Sequence, residues 1–90
     1  MKTVHVYIKG KVQGVWFRAH TKQQAEMFGL RGWVRNTHDG RVEGLFEGED
    51  KNVDKMIEWC HQGSPLSLVR EVKVEEMNTP VNCSDFKIKH

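Results

Sequence analysis

The stretch LRGWVRNTHDGRVEGLFEG, Leu30–Gly48, decides the fold. LRGWVRNT reads as one strand and RVEGLFEG as another. HDG turns between them, with Asp39-Gly40 as the hairpin signal. An antiparallel hairpin therefore sits mid-chain, and the segments on either side of it change period. On the N-terminal side, Phe17, Thr21, Ala25 and Phe28 recur at three to four residues, and Gly29 stands where a helix end favours positive φ. On the C-terminal side, Asp50 can cap a helix whose stripe is Val53, Met56, Ile57 and Cys60, and Gly63 with Pro65 ends it.

Further out, TVHVYIKG alternates, with Val4, Val6 and Ile8 on one face and His5, Tyr7 and Lys9 on the other: a half-buried first strand. LVREVKVEEM supplies a fourth strand and DFKIKH a short last one, leaving Asn78 to Ser84 as the loose loop. The order is β-α-β-β-α-β plus a short terminal strand. Right-handed crossovers then put both helices on one face of an antiparallel sheet, the α+β ferredoxin-like arrangement. That fold hosts many unrelated functions, so a site has to decide.

Ninety residues suffice for one domain, residues 1–90, with little stability to spare. Hydrophobic residues at 38% beside charged ones at 29% exclude a disordered chain. A net charge of +2 is too balanced to imply nucleic-acid binding. No apolar run approaches a membrane span or a signal-peptide core, so a cytoplasmic protein is expected. Cys60 and Cys83 are then expected as reduced thiols, with one bridge the alternative. Asn82-Cys83-Ser84 formally matches a glycosylation acceptor and is discounted without a secretory signal.

The candidate site begins at GKVQGVWFR, Gly10–Arg18. If the first strand ends near Lys11 and the helix begins near Phe17, Val12 to Trp16 form a tight loop. Gly14 lets backbone N–H groups converge on one concavity, and the helix start adds its own unpaired N–H groups. Arg18 stands in the first helical turn, the wrong end of the dipole for a cation; its planar fork suits phosphate oxygens. Taken alone, one glycine and one arginine fit an ordinary tight turn with a solvated arginine more readily. Neither a Walker loop nor a dinucleotide fingerprint is present. Asn36, before the hairpin, reads alone as turn chemistry, yet a carboxamide can accept from a water while donating to a phosphoryl oxygen.

GKVQGVWFR followed by GWVRNTHDGRVEG resembles the signature pair of the acylphosphatase family, and the likeness runs through VDKMIEWCHQGSP to the closing FKIK. The resemblance implies that Gln13, Gly14, Val15, Trp16 and Phe17 form a phosphate-binding loop, that Arg18 binds the phosphate, and that Asn36 positions a water. It also implies hydrolysis of a small-molecule acyl phosphate to a carboxylate and inorganic phosphate, which then acts as product and competitive ligand. Neither a metal nor a cofactor is expected. GSPLSLV departs from many members and lies, in sequence, away from both motifs.

Other readings are weaker. His5, His20, His38, His61 and His90 lack metal-ligand spacing and are expected at the surface. Trp16, Trp33 and Trp59 are expected in the core or a pocket wall. An RNA-recognition domain shares the element order, and VYIKG imitates its shorter aromatic motif. The third strand, RVEGLFEGED, instead carries Glu43, Glu47, Glu49 and Asp50, which repel phosphates. A module of a carbamoyl-transfer maturation enzyme is a further rival, one normally fused to zinc-finger domains. A monomer binding neither nucleic acid nor membrane is expected.

Overall fold

The alternation of the first strand becomes a two-faced sheet in the computed structural model, which describes residues 1–80 and 83–90. The elements are β1 (Lys2–Lys11), α1 (Phe17–Met27), β2 (Arg31–Asn36), β3 (Val42–Gly48), α2 (Asp50–Gln62), β4 (Leu68–Met77) and β5 (Phe86–Ile88). Asn82, and with it the start of the glycosylation tripeptide, lies outside the described residues. The sheet runs β4-β1-β3-β2-β5. Its first four strands pair antiparallel, whereas β5 joins β2 in parallel.

One face is apolar. Val4, Val6 and Ile8 of β1 oppose Phe46, Gly44 and Val42 of β3, and they share a buried core with Phe17 and Ala25 of α1 and Val53, Met56 and Cys60 of α2. Phe86 of β5 stacks on Phe46 at 5.5 Å, which fastens the short strand to that core. The opposite face is polar and closely paired. Glu43, 5% exposed, accepts from Arg35 Nε at 2.6 Å and Tyr7 Oη at 3.1 Å, and its carboxylate meets His5 Nε2 at 2.6 Å. Glu47 accepts from Thr3 at 2.7 Å and pairs with Arg31 at 3.1 Å. Buried carboxylates are tolerated when so partnered. His5 is thus half-buried in a network, not on the open surface as expected.

Two local features aim the chain at the site. The β1–β4 register shifts between Lys9 and Gly10, where Gly10 has φ +138° and a Cβ would fall 2.1 Å from Leu68 O. Only glycine permits that approach, and the bulge bends the strand end into the following loop. The β2–β3 hairpin closes through Thr37 N–H to Arg41 O at 2.9 Å around the loop His38–Gly40. Glu49, not Asp50, occupies the cap position of α2, with no side-chain cap bond. The Glu49 carbonyl accepts from Asn52 and Val53 N–H at 3.0 Å each. Asp50 is the first helical residue and pairs with the Met1 amine at 3.5 Å.

Candidate active site

Between the end of β1 and the start of α1 the chain turns through two left-handed residues, Gly14 (φ +73°) and Trp16 (φ 60°). Left-handed residues alternating with others turn successive N–H groups into one concavity. A Cβ on Gly14 would meet nothing within 4 Å, so glycine is favoured there by conformation and not by crowding. The first intrahelical bond of α1 is His20 N–H to Trp16 O at 3.1 Å. The N–H groups of Phe17, Arg18 and Ala19 precede it and point forward without intrahelical acceptors. No acidic residue lies in this first turn to neutralise the positive end of the dipole.

The loop is braced from two sides. Gln13 donates both Nε2 hydrogens across the sheet end, to Thr37 O at 2.9 Å and Arg41 O at 2.8 Å. Its side chain therefore holds the hairpin against the loop, leaving its backbone for any anion. On the other side Ser64, 4% exposed, donates to Val15 O at 3.4 Å. GSPLSLV lies away from both motifs in sequence, yet it touches the loop in space. The hairpin is knotted as well: the Thr37 hydroxyl accepts from Arg41 N–H at 3.0 Å and donates to Asp39. Bonds from Arg41 and then Thr37 hold the Asp39 carboxyl down at about 2.

These braces bring Arg18 and Asn36, eighteen residues apart, onto one cleft of about 330 Å³ with Gly14, Trp16 and Phe17. Val15 points inward and is buried, so it serves the loop only through its backbone. Arg18 is half-buried and has no carboxylate partner among the described residues. Asn36 ends β2, and its Oδ1 is buried without a hydrogen-bond partner among the described residues. A buried orphan acceptor costs about 1–3 kcal/mol. Asn36 itself lines the cleft.

His90 is the residue sequence reading missed. It lines the same cleft, with Nδ1 3.4 Å from an Arg18 terminal nitrogen. Nothing in its spacing signalled this, because β5 brings it in from 72 residues away. The tryptophans divide. Trp59 packs on Phe17 at 5.5 Å and Trp33 lies under Lys89 at 4.5 Å, whereas Trp16 is 75% exposed on the cleft wall. Among the described residues no group of His, Cys, Asp and Glu is arranged to hold a metal ion.

Known proteins resemble this chain in sequence and fold. An acylphosphatase of Syntrophus aciditrophicus is 50% identical over 98% of this chain and 92% of its own. The crystal structure of a Bacillus subtilis acylphosphatase superposes with a TM-score of 0.97 at 36% identity, covering 100% of both chains. Full-length HypF in its phosphate- and nucleotide-bound form matches at TM-score 0.84 and 29% identity, over 99% of this chain and 12% of that one. The acylphosphatase family model matches residues 4–88. The chain belongs to the acylphosphatase family, hydrolases that act on acyl phosphates.

Proposed function

We propose that this chain splits acyl phosphates by direct in-line attack of a water on phosphorus, with Asn36 orienting the water and Arg18 and the loop amides holding the phosphoryl group. One observation carries this reading: Asn36, whose buried Oδ1 has no partner among the described residues, lines the same cleft as Arg18. The carboxamide oxygen accepts from the water. The carboxamide N–H₂ donates to a phosphoryl oxygen, so the attacking atom and its target are held by one rigid group.

The chemistry asks for little more. The water oxygen forms a bond to phosphorus while the P–O bond to the acyl group breaks. The carboxylate leaves with the bonding pair and the water's protons end on phosphate. A carboxylate is a good leaving group, so no strong general acid is needed. What remains is charge on the phosphoryl oxygens, which a guanidinium, a nest of N–H groups and a helix N-terminus stabilise. Gln13, Gly14, Val15, Trp16 and Phe17 contribute as a backbone loop. Inorganic phosphate, keeping the same oxygens, is a competitive ligand as well as a product.

The chain is read as a monomer. Cys60 and Cys83 are both free, in keeping with a reducing, cytoplasmic setting. No helix among the described residues is long and apolar enough to cross a membrane. Nucleic acid is disfavoured as a partner, because Tyr7 on the open sheet face is bonded to Glu43 and covered by Arg41 at 4.5 Å.

Hydrolysis in ¹⁸O-water tests the bond that forms. The label is expected in phosphate alone, with inversion at a chiral phosphorus. Label in the carboxylate would mean attack at the acyl carbon, and retention would mean a covalent phosphoenzyme; either outcome refutes the mechanism.

A further inference from the structure

Trp16 combines two features that are each unfavourable. It is a bulky residue in the left-handed region, φ 60° and ψ 21°, a conformation such side chains rarely adopt. Its indole is 75% exposed although the chain is small and short of core. The loop explains the backbone and leaves the side chain unexplained, since glycine would satisfy the same φ without displaying an aromatic ring. Strain of this kind clusters at functional sites.

The ring's outward direction is fixed by its neighbours. Val15 is buried on one side, its carbonyl held by Ser64, and Phe17 is 1% exposed on the other, packed on Trp59. With both neighbours anchored inward, Trp16 faces out onto the cleft that holds Arg18 and Asn36. Val12, Phe17 and Ile88 also line that cleft, and of these apolar residues Trp16 is by far the most exposed. An acyl phosphate has two ends. Arg18 and the loop amides suit the phosphoryl end, which leaves the acyl end to the part of the cleft those groups do not occupy.

We propose that Trp16 is the specificity-determining residue for the acyl group, a platform that favours aromatic and bulky apolar acyl phosphates over small ones. This rests on the reading of Arg18 and Asn36 given above. An aromatic acyl group lying against the indole face or edge is expected to gain about tenfold in kcat/KM over an acetyl group. The gain appears mainly in KM, because the acyl group contacts the ring in ground and transition states alike.

The test compares benzoyl phosphate and acetyl phosphate with the full chain and three variants, reading the ratio of their kcat/KM values. Trp16→Gly, which keeps the left-handed turn and removes the ring, is expected to lower the benzoyl-to-acetyl ratio about tenfold. Trp16→Phe is expected to hold it within about twofold. Arg18→Gln is expected to lower both substrates together and leave the ratio near the parent's. A ratio unchanged in Trp16→Gly beside a disabled Arg18→Gln overturns the platform alone. An Arg18→Gln enzyme that hydrolyses both substrates normally overturns the site, and the platform with it. Because the readout is a ratio, a general loss of loop order in one variant does not imitate the expected result.

Discussion

Gln13→Ala should loosen the site from its base without touching a cleft-lining side chain. Gln13 gives two hydrogen bonds, to Thr37 O at 2.9 Å and Arg41 O at 2.8 Å. A neutral intramolecular bond is worth about 1 kcal/mol net. Neither carbonyl is orphaned by the loss: Arg41 O keeps Thr37 N–H at 2.9 Å, and Thr37 O keeps the longer contact from Gly40 N–H at 3.4 Å. The expected destabilisation is therefore about 1–2 kcal/mol, and at about 4–8 °C per kcal/mol for a domain of this size the melting temperature should fall by roughly 5–15 °C. Gln13→Glu sharpens the test. At pH 7 it sets a carboxylate against two carbonyl oxygens, so it should be less stable than Gln13→Ala. Its folded pKa is raised, so the penalty is absent below the ordinary glutamate value near about 4.3 and returns as pH rises. Thermal melts of both variants at pH 7 and about pH 4 supply the measurement. A Gln13→Ala melt within 2 °C of the parent (roughly the effect of half a kcal/mol), or a Gln13→Glu melt above that of Gln13→Ala at pH 7, would refute the bracing role.

Cys60 is fully buried and its thiol is pushed up to about 12 by burial, so alkylation of the native protein at about pH 8 should modify Cys83 alone, and denaturant should expose both. Cys60→Ala should lower stability by about 1 kcal/mol with turnover unchanged; fast alkylation of native Cys60 would contradict the packing. Glu43 is opposed by burial, yet bonds from Arg35, His5 and Tyr7 outweigh it and lower its pKa below 4.5. Its ionised form thus stabilises the fold above that value, and the contribution fades as pH falls through the lowered folded value. Glu43→Gln should be less stable by about 2 kcal/mol at pH 7 and lose less between about pH 5 and 3 in urea melts; parallel curves would contradict this. Turnover should not change with EDTA or added Mg²⁺, and a chelation loss restored by one divalent ion would contradict a metal-free site.

The fold was legible because its signals are local: alternation in β1, the three-to-four spacing of α1 and α2, and a hairpin turn. Where β5 goes was not, since three residues carry too little pattern to declare parallel pairing with β2. Arg18 stood out by opposing its own helix dipole, and Asn36 only through its pairing with the loop motif. Contacts across the chain left no local trace. Ser64 on Val15 O spans 49 residues and His90 on Arg18 spans 72. The left-handed Trp16 was equally hidden, because nothing in its side chain favours positive φ. Asp50 was a misleading cap signal: one residue further along, it entered the helix and left the cap to Glu49.

Phosphate affinity measured beside kcat in Asn36→Ala and Arg18→Gln tests the central claim most directly. Arg18 is assigned to the phosphoryl group in ground and transition states, so Arg18→Gln should weaken phosphate binding and lower turnover together. Asn36 is assigned to the attacking water, which phosphate does not need in order to bind. Asn36→Ala should hold phosphate affinity within about threefold while kcat falls about 10²-fold, roughly 2.7 kcal/mol of transition-state stabilisation. An Asn36→Ala enzyme that stays folded, binds phosphate poorly and turns over normally at saturation would contradict the account.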